Sequence, residues 1–293
     1  MNQVLLTNSL LSSINSIFSS LYSSIDEKIY SLLDGMLFIN STEFLNSSVF
    51  KLLGTPSNPG LIMICDALLL GFLIYYALSF CLSHLTFTKI QNPSQFIFKL
   101  LLCAIAINFS INICYYLVLF FSYISICIRY IGESFLSTSI SFTNFTEQIW
   151  RIFPYTSSDF NIFSFDGLIR SLVSFGFINL AITYSLRYIM IKVFTLISPF
   201  AILCLAIDNF SWVFKSWIKI YISLLFLQVF VSFVLLICFS LDIYEQNTFS
   251  SFLYLGTIYA LIKSNSFIKD FIGGIITDAN ISTSQISSFL SKK

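Results

Sequence analysis

The sequence from Ile189 to Lys219 reads IMIKVFTLISPFAILCLAIDNFSWVFKSWIK. A mostly apolar run ends at an Asp-Asn pair, two tryptophans and two lysines follow, and the chain then turns apolar again. About twenty apolar residues are enough for one helix to cross a bilayer. Tryptophan is stable at the lipid headgroups, where its ring has one apolar and one polar side. The pattern predicts two membrane-spanning helices joined by a short interfacial elbow at residues 208–219.

The composition of the whole chain also indicates a membrane environment. Of the 293 residues, 57% are hydrophobic and only 10% are charged, whereas soluble domains carry about 25% charged residues. The net charge of +1 gives no overall field that would attract nucleic acid. Because the apolar segments are long runs rather than short alternating strands, we expect an all-α, polytopic transmembrane protein.

The apolar pattern divides the chain into five regions. Residues 1–58 repeat apolar residues every three or four positions, which predicts an amphipathic helical region that does not span the bilayer. This region either lies in the lipid interface or packs on copies of itself or on a partner outside the bilayer. Residues 59–131 hold two spans, and the second apolar stretch, 96–131, is long enough to tilt or protrude. Residues 132–166 read as an extracytoplasmic loop, residues 167–262 as further transmembrane helices around the elbow, and residues 263–293 as a cytoplasmic tail.

The stretch 167–207 leaves two arrangements open. One protruding helix with a single span gives five spans and places the N-terminus outside the cell. A hairpin gives six spans and an N-terminus inside. Short loops rich in lysine stay in the cytoplasm, which places the C-terminus there in both arrangements and favours five spans.

Polar residues inside the apolar runs are candidates for a lumen or for contacts between helices, because unpaired polar groups are costly in hydrocarbon. These candidates are Asp66, Asn108, Asn112, Arg187 and Lys192. The two asparagines are four residues apart, so one continuous helix would place them on the same face.

Other residues of the central block have structural readings. Pro199 predicts a kink, since proline removes a backbone hydrogen bond that Ser198 or a neighbouring helix can replace. The candidate interfacial anchors are Trp212, Lys215, Trp217 and Lys219. In the tail, Phe267, Phe271 and Ile275 recur at helical spacing and predict docking of cytoplasmic machinery.

Motifs that would indicate catalysis are missing from the sequence. His84 is the single histidine, and the seven cysteines form no CxxC pair. The sequence contains no phosphate-binding glycine loop, no HExxH and no GxSxG. We therefore expect a protein without enzymatic activity, catalytic residues, bound metal or cofactor.

The block RYIMIKVFTLISPFAILCLAIDNFSWVFKSWIKIYISLLFLQVFV, Arg187–Val231, resembles the central part of the TrbL family. These are polytopic inner-membrane proteins of conjugative type IV secretion systems. The shared features are a basic residue before an apolar span, a Ser-Pro within the span, an elbow with Lys and Trp, and a second span. They fall here on Arg187, Lys192, Ser198-Pro199, Lys215 and Trp217, and the resemblance covers roughly residues 170–245.

The resemblance implies a non-enzymatic channel or scaffold subunit in a bacterial inner membrane. Its partners would be the lipid bilayer, further copies of itself, and other secretion subunits including ATPases and the coupling protein. A single-stranded DNA–protein substrate would pass transiently. The alternative from the residues themselves is a secondary transporter or small permease that uses Asp66, Arg187 and Lys192 as intramembrane charges.

Overall fold

The computed structural model describes residues 12–20, 29, 32–39, 48–54, 60–86, 92–152, 164–207, 210–240 and 248–272. All regular secondary structure in these ranges is helical. Two short helical pieces, 12–20 and 32–37, and a 3-10 helix, Ser48–Leu53, precede the long helices. The long helices are α1 (Leu61–Thr86), α2 (Pro93–Asn108), α3 (Ser110–Leu136), α4 (Phe142–Ile152), α5 (Phe165–Leu203), α6 (Ser211–Ser240) and α7 (Thr248–Ile272).

Four helices in the described part of the chain are long and apolar enough to cross a membrane. They are the segments Leu61–Leu82, Ser110–Leu136, Gly167–Ala206 and Ser211–Ser240, which belong to α1, α3, α5 and α6. The chain is therefore a polytopic all-α membrane protein, as its composition predicts. The fifth predicted span lies in α7, which carries Lys263, Lys269 and Asp270 and is not among these four.

Helix α5 joins three successive hydrophobic cores. Its 39 residues would extend about 58 Å at 1.5 Å per residue. Its first half packs with α4, α6 and α7, its middle with α3 and α6, and its end with α1 and α2. Ser164 caps its N-terminus by accepting a hydrogen bond from Gly167 N at 3.1 Å. Because α5 is continuous from residue 165 to residue 203, the alternative hairpin is wrong.

The contacts also give the directions of the helices. Helix α3 is parallel to α6, since Phe121 meets Phe226 and Ser125 meets Ser232 further along both helices. Helix α5 is antiparallel to α6, because Trp217 bonds to Phe194, whereas Leu224 bonds to Arg187. Helix α7 runs parallel to α5. Gly176 lies so close to Ile258 that a Cβ added to the glycine would be 2.6 Å from the isoleucine side chain, and Ser264 lies close to Tyr184 further along both helices.

Three boundaries differ from the sequence-based expectations. The stretch 96–131 is not one long helix, because α2 ends at Asn108 and α3 begins at Ser110, with Phe109 at φ −93° and ψ 7° between them. The loop 132–166 includes the end of α3 and all of α4, whose apolar side enters the core. The predicted tail boundary at residue 263 falls inside α7, which continues to Ile272, whereas residues 273–293 with Ile275 lie outside the described residues.

The N-terminal region also differs from its predicted place. Leu33, Leu37 and Ile39 are buried among the long helices instead of lying on a separate amphipathic helix. Phe50 and Leu53 of the 3-10 helix enter the middle core as well. Helical residues 12–20 are mostly exposed, and the remainder of residues 1–58 is largely outside the described ranges.

Candidate functional site

A line of polar side chains lies buried between α3, α5 and α6. We call it the polar seam, and it consists of Ser125, Tyr184, Arg187, Thr195, Ser198, Tyr221, Gln228 and Ser232. The three helices that contribute these residues are all long enough to cross a membrane. Polar groups at such a position are rare, costly and commonly functional. The polar seam is therefore the candidate functional site.

Arg187 lies at the centre of the polar seam and has no exposed surface. Its Nε donates to the carbonyl oxygen of Leu224 at 2.7 Å, and its Nη1 donates to that of Leu37 at 3.1 Å. Its Nη2 is buried without a hydrogen-bond partner among the described residues. The partners that hold this cation are thus backbone carbonyls from two different parts of the chain, rather than a carboxylate.

The bond to Leu37 has a clear local cause. Leu37 is the last residue of the helical piece 32–37, and the final carbonyls of a helix have no N–H partner within the helix. These carbonyls also carry the partial negative charge of the helix dipole. Arg187 therefore caps the C-terminal end of a short helix that lies 150 residues earlier in the sequence.

Pro199 interrupts the hydrogen bonding of α5 beside the polar seam. In a regular helix the carbonyl of Thr195 would accept from the backbone N–H of residue 199, which proline lacks. Ser198 Oγ donates to that carbonyl at 2.7 Å, and Trp217 Nε1 donates to the carbonyl of Phe194 at 2.9 Å. The prediction that Ser198 can satisfy the carbonyl freed by proline is confirmed by the first contact, whereas the bond from Trp217 reaches the carbonyl one residue earlier.

Side-chain pairs close the rest of the polar seam. Thr195 Oγ1 lies 3.0 Å from the Tyr221 hydroxyl, which joins α5 to α6. Ser125 Oγ and Ser232 Oγ are 2.7 Å apart and join α3 to α6. Gln228 is one helical turn beyond Leu224, and both polar atoms of its amide are buried without a partner among the described residues. The polar seam thus offers hydroxyls, one amide and one guanidinium, which can orient or pass polar groups. Its side chains do not pair a nucleophile with a base.

A second polar contact ties the N-terminal region to the bundle. The carboxylate of Asp34 accepts hydrogen bonds from the backbone N–H of Phe142 at 3.0 Å and of Thr143 at 3.4 Å. These are the first two N–H groups of α4, and Ser141 Oγ accepts from the third, that of Asn144. Asp34 therefore completes the capping of a helix more than one hundred residues away. The guanidinium of Arg129 lies over the Phe38 ring at 4.0 Å and interacts electrostatically with Asp34.

Of the predicted polar candidates, only Arg187 belongs to the polar seam. Asn108 and Asn112 lie on opposite sides of the break at Phe109, and both are exposed, so they do not share one helix face. Asp66 is half-buried in α1 next to Cys65, in a different hydrophobic core. Lys192 is half-buried, and its Nζ lies over the Tyr188 ring at 4.4 Å.

The predicted interfacial anchors separate into two groups. Trp212, Lys215 and Lys219 are exposed on α6, where lipid headgroups could meet them. Trp217 is only 4% exposed, so its assignment as an interfacial anchor is wrong. Its ring stacks on Tyr221 with centroids 5.4 Å apart and fills the middle core. Asp208 and Asn209 of the elbow lie outside the described residues.

Sequence reasoning did not select Tyr184, Gln228 or Asp34. Gln228 carried a usable signal, because it is the one amide inside the apolar run of α6. Tyr184 and Asp34 carried none, since a tyrosine and an aspartate at these positions also fit a lipid interface or a solvated helix face.

Comparisons with protein families, with curated proteins and with solved structures give no match for this chain.

Proposed function

We propose that this protein is a non-enzymatic channel or scaffold subunit of a conjugative type IV secretion system. The resemblance of residues 170–245 to the TrbL family motivates this role, and the burial of Arg187 in the polar seam is the observation that carries it. A fully buried cation among spanning helices is retained at a cost, which favours a role in transport or gating over simple anchoring.

Several copies would be needed to make a path for a large substrate. Within the described residues, the interior of one chain is occupied by the side chains of the three hydrophobic cores. Helix α1, in contrast, has only 11% of its apolar segment buried, and Met63, Leu70 and Leu78 point away from the bundle. Such a helix can contact lipid or another copy, so we place the path between copies.

The directions of the helices favour a cytoplasmic C-terminus in the inner membrane. Since α6 and α7 are antiparallel, Lys215 and Lys219 at the start of α6 lie at the same end of the bundle as Lys269 near the end of α7. Clustered lysines favour the cytoplasmic side. The predicted five-span arrangement then places the N-terminus outside the cell.

Two experiments test this proposal. Deleting the gene in a conjugative donor should abolish DNA transfer while leaving growth unchanged, and supplying the wild-type gene should restore transfer. A reporter fused after Ser24 should be active only outside the cytoplasm, and one fused after Lys293 only inside. Normal transfer without the protein would refute the assigned system, and a cytoplasmic Ser24 fusion would refute the topology.

A secondary transporter is the second candidate, and the unpartnered amide of Gln228 beside Arg187 favours it. A small anionic solute could bind such donors. Vesicles that contain the purified protein would then show saturable uptake of a small solute that Arg187→Gln abolishes. The secretion role predicts no such uptake.

A further inference from the structure

Residues 32–39 pack between α3 and α5, with an open groove on each side. We call these residues the strap. On one side, Phe38 and Ile39 form a wall of a cavity of about 320 Å³, with Ser122 and Arg129 of α3 opposite. On the other side, Met36 borders a shallow apolar surface groove of about 560 Å³ along the exposed Ile182 and Ile189 of α5. The strap is therefore bordered by open grooves on both sides, while its buried leucines pack against the bundle.

Only a few contacts hold the strap in the cleft. Leu33 and Leu37 are fully buried and make the apolar contacts of the strap. The polar contacts are the bond from Arg187 to the Leu37 carbonyl, the Asp34 cap on α4, and a long bond of 3.4 Å from Ser122 Oγ to the Ile39 carbonyl. The bonds of Arg187 and of Asp34 are both charge-assisted, and Arg129 adds a cation–π contact with the Phe38 ring at 4.0 Å. Of these contacts, the bond from Arg187 is the one that joins the strap to the polar seam.

The strap covers the polar seam at its most polar point. Arg187 is fully buried partly because the C-terminal end of the helical piece 32–37 lies over it. Without the strap, Arg187 would have the Leu224 carbonyl as its remaining partner from α6. The two cavities that flank the strap would then join into one cleft, with the guanidinium at its base.

We propose that the strap is a closure element, latched by Arg187, whose release opens the α3–α5 cleft onto the polar seam. A packed element with two discrete arrangements is a common basis of gating. The gating role rests on the proposed channel function, whereas release of the strap can be measured without it.

The release is tested by thiol labelling in native membrane vesicles. The exposed Cys81 and Cys127 are replaced by serine, and Leu37→Cys is added to this parent. We expect slow reaction of Leu37→Cys with a small maleimide. Adding Arg187→Gln should raise the rate about tenfold or more, since a charge-assisted bond shifts an open–closed equilibrium by at least about one power of ten. Lys192→Gln, on the same helix but without contact to the strap, should leave the rate unchanged.

Two further positions separate release from general unfolding. Phe38→Cys, in the strap, should respond to Arg187→Gln as Leu37→Cys does. Ile202→Cys, buried in the distant core of α1, α2 and α5, should stay unreactive. If Ile202→Cys becomes reactive together with the strap positions, or if Arg187→Gln has no effect on the strap, the latch is overturned.

A disulfide then tests whether release matters for function. The side chains of Asp34 and Thr143 are in contact, with Oδ2 and Oγ1 3.2 Å apart. In the double variant Asp34→Cys/Thr143→Cys, a short bis-methanethiosulfonate reagent can join the two thiols through disulfides and fix the strap. Bridging should reduce DNA transfer at least about tenfold relative to the same double variant without the reagent, and reductant should restore it. Each single variant should respond to the reagent with no such change. Transfer that ignores the disulfide overturns the gating role. If the proposed secretion function is wrong, DNA transfer will be normal without the protein, whereas the labelling result will still hold.

Discussion

Ser198 should stabilise the protein only because residue 199 is proline. Ser198 Oγ donates at 2.7 Å to the Thr195 carbonyl, which has lost its regular backbone donor. Ser198→Ala leaves this buried carbonyl without that donor, at a cost of about 1 kcal/mol, a value also typical of hydrogen bonds in membrane proteins. In a Pro199→Ala background the restored N–H of residue 199 can bond to Thr195, so the same Ser198→Ala change should cost close to nothing.

The assay is a double-mutant cycle on the purified protein in mixed detergent micelles. The free energy of unfolding is measured for the wild type, Ser198→Ala, Pro199→Ala and the double variant. We expect a coupling energy of about 1 kcal/mol between the two positions. Ser171→Ala is a matched control, because Ser171 Oγ also donates to a carbonyl of α5, that of Gly167. The residue four positions after Gly167 is not proline, so this carbonyl keeps its regular backbone donor. An equal cost of Ser198→Ala in both backgrounds would refute the reasoning.

Three other changes test separate parts of the structure. Asp34→Ala removes the acceptor of the first two N–H groups of α4 and should lower the free energy of unfolding by about 1 kcal/mol, and Asp34→Asn should recover most of it, as judged by thermal unfolding in detergent. Gly176→Val places a Cβ 2.6 Å from Ile258 and should destabilise the α5–α7 contact by about 1–3 kcal/mol, which the same melting assay would detect; an unchanged melting temperature contradicts this close approach. Phe267→Ser with Phe271→Ser alters two exposed side chains, so melting should not change, whereas DNA transfer should fall if this face docks cytoplasmic machinery; normal transfer would end that proposal.

The class of fold is predictable here because it depends on composition and on the length of apolar runs. A chain with 57% hydrophobic residues and 10% charged residues has no soluble fold in which to bury them, and only helices satisfy the backbone in lipid over such long runs. The role of Ser198 is predictable for a similar reason, since the partner of a carbonyl freed by proline is found within one turn.

The polar seam is less predictable because its partners are far apart in sequence. The Leu37 carbonyl and Arg187 are separated by 150 residues, and no periodicity within either segment indicates their contact. The break at Phe109 has no proline or glycine to mark it. Asn108 and Asn112 therefore read as one face of one helix, although they are not.

Trp217 shows how one pattern can fit two environments. Tryptophan near lysine is typical of a lipid interface, yet it also fits a helix that buries one face and exposes the other. The deciding spacing was present in α6, since Trp217, Tyr221 and Leu224 recur every three or four residues on the buried face. Trp212, Lys215 and Lys219 follow the same spacing on the exposed face, so the helical period separates the anchors from the core residue.

The exposure of α1 to hydrocarbon is the most direct test that lipid is the solvent of this fold. A nitroxide attached at Ile74, which is exposed in the middle of α1, reports its surroundings by electron paramagnetic resonance in reconstituted vesicles. We predict frequent collisions with molecular oxygen, which concentrates in hydrocarbon, and few with a water-soluble nickel chelate. Frequent collisions with the chelate and few with oxygen would contradict the membrane-embedded structure.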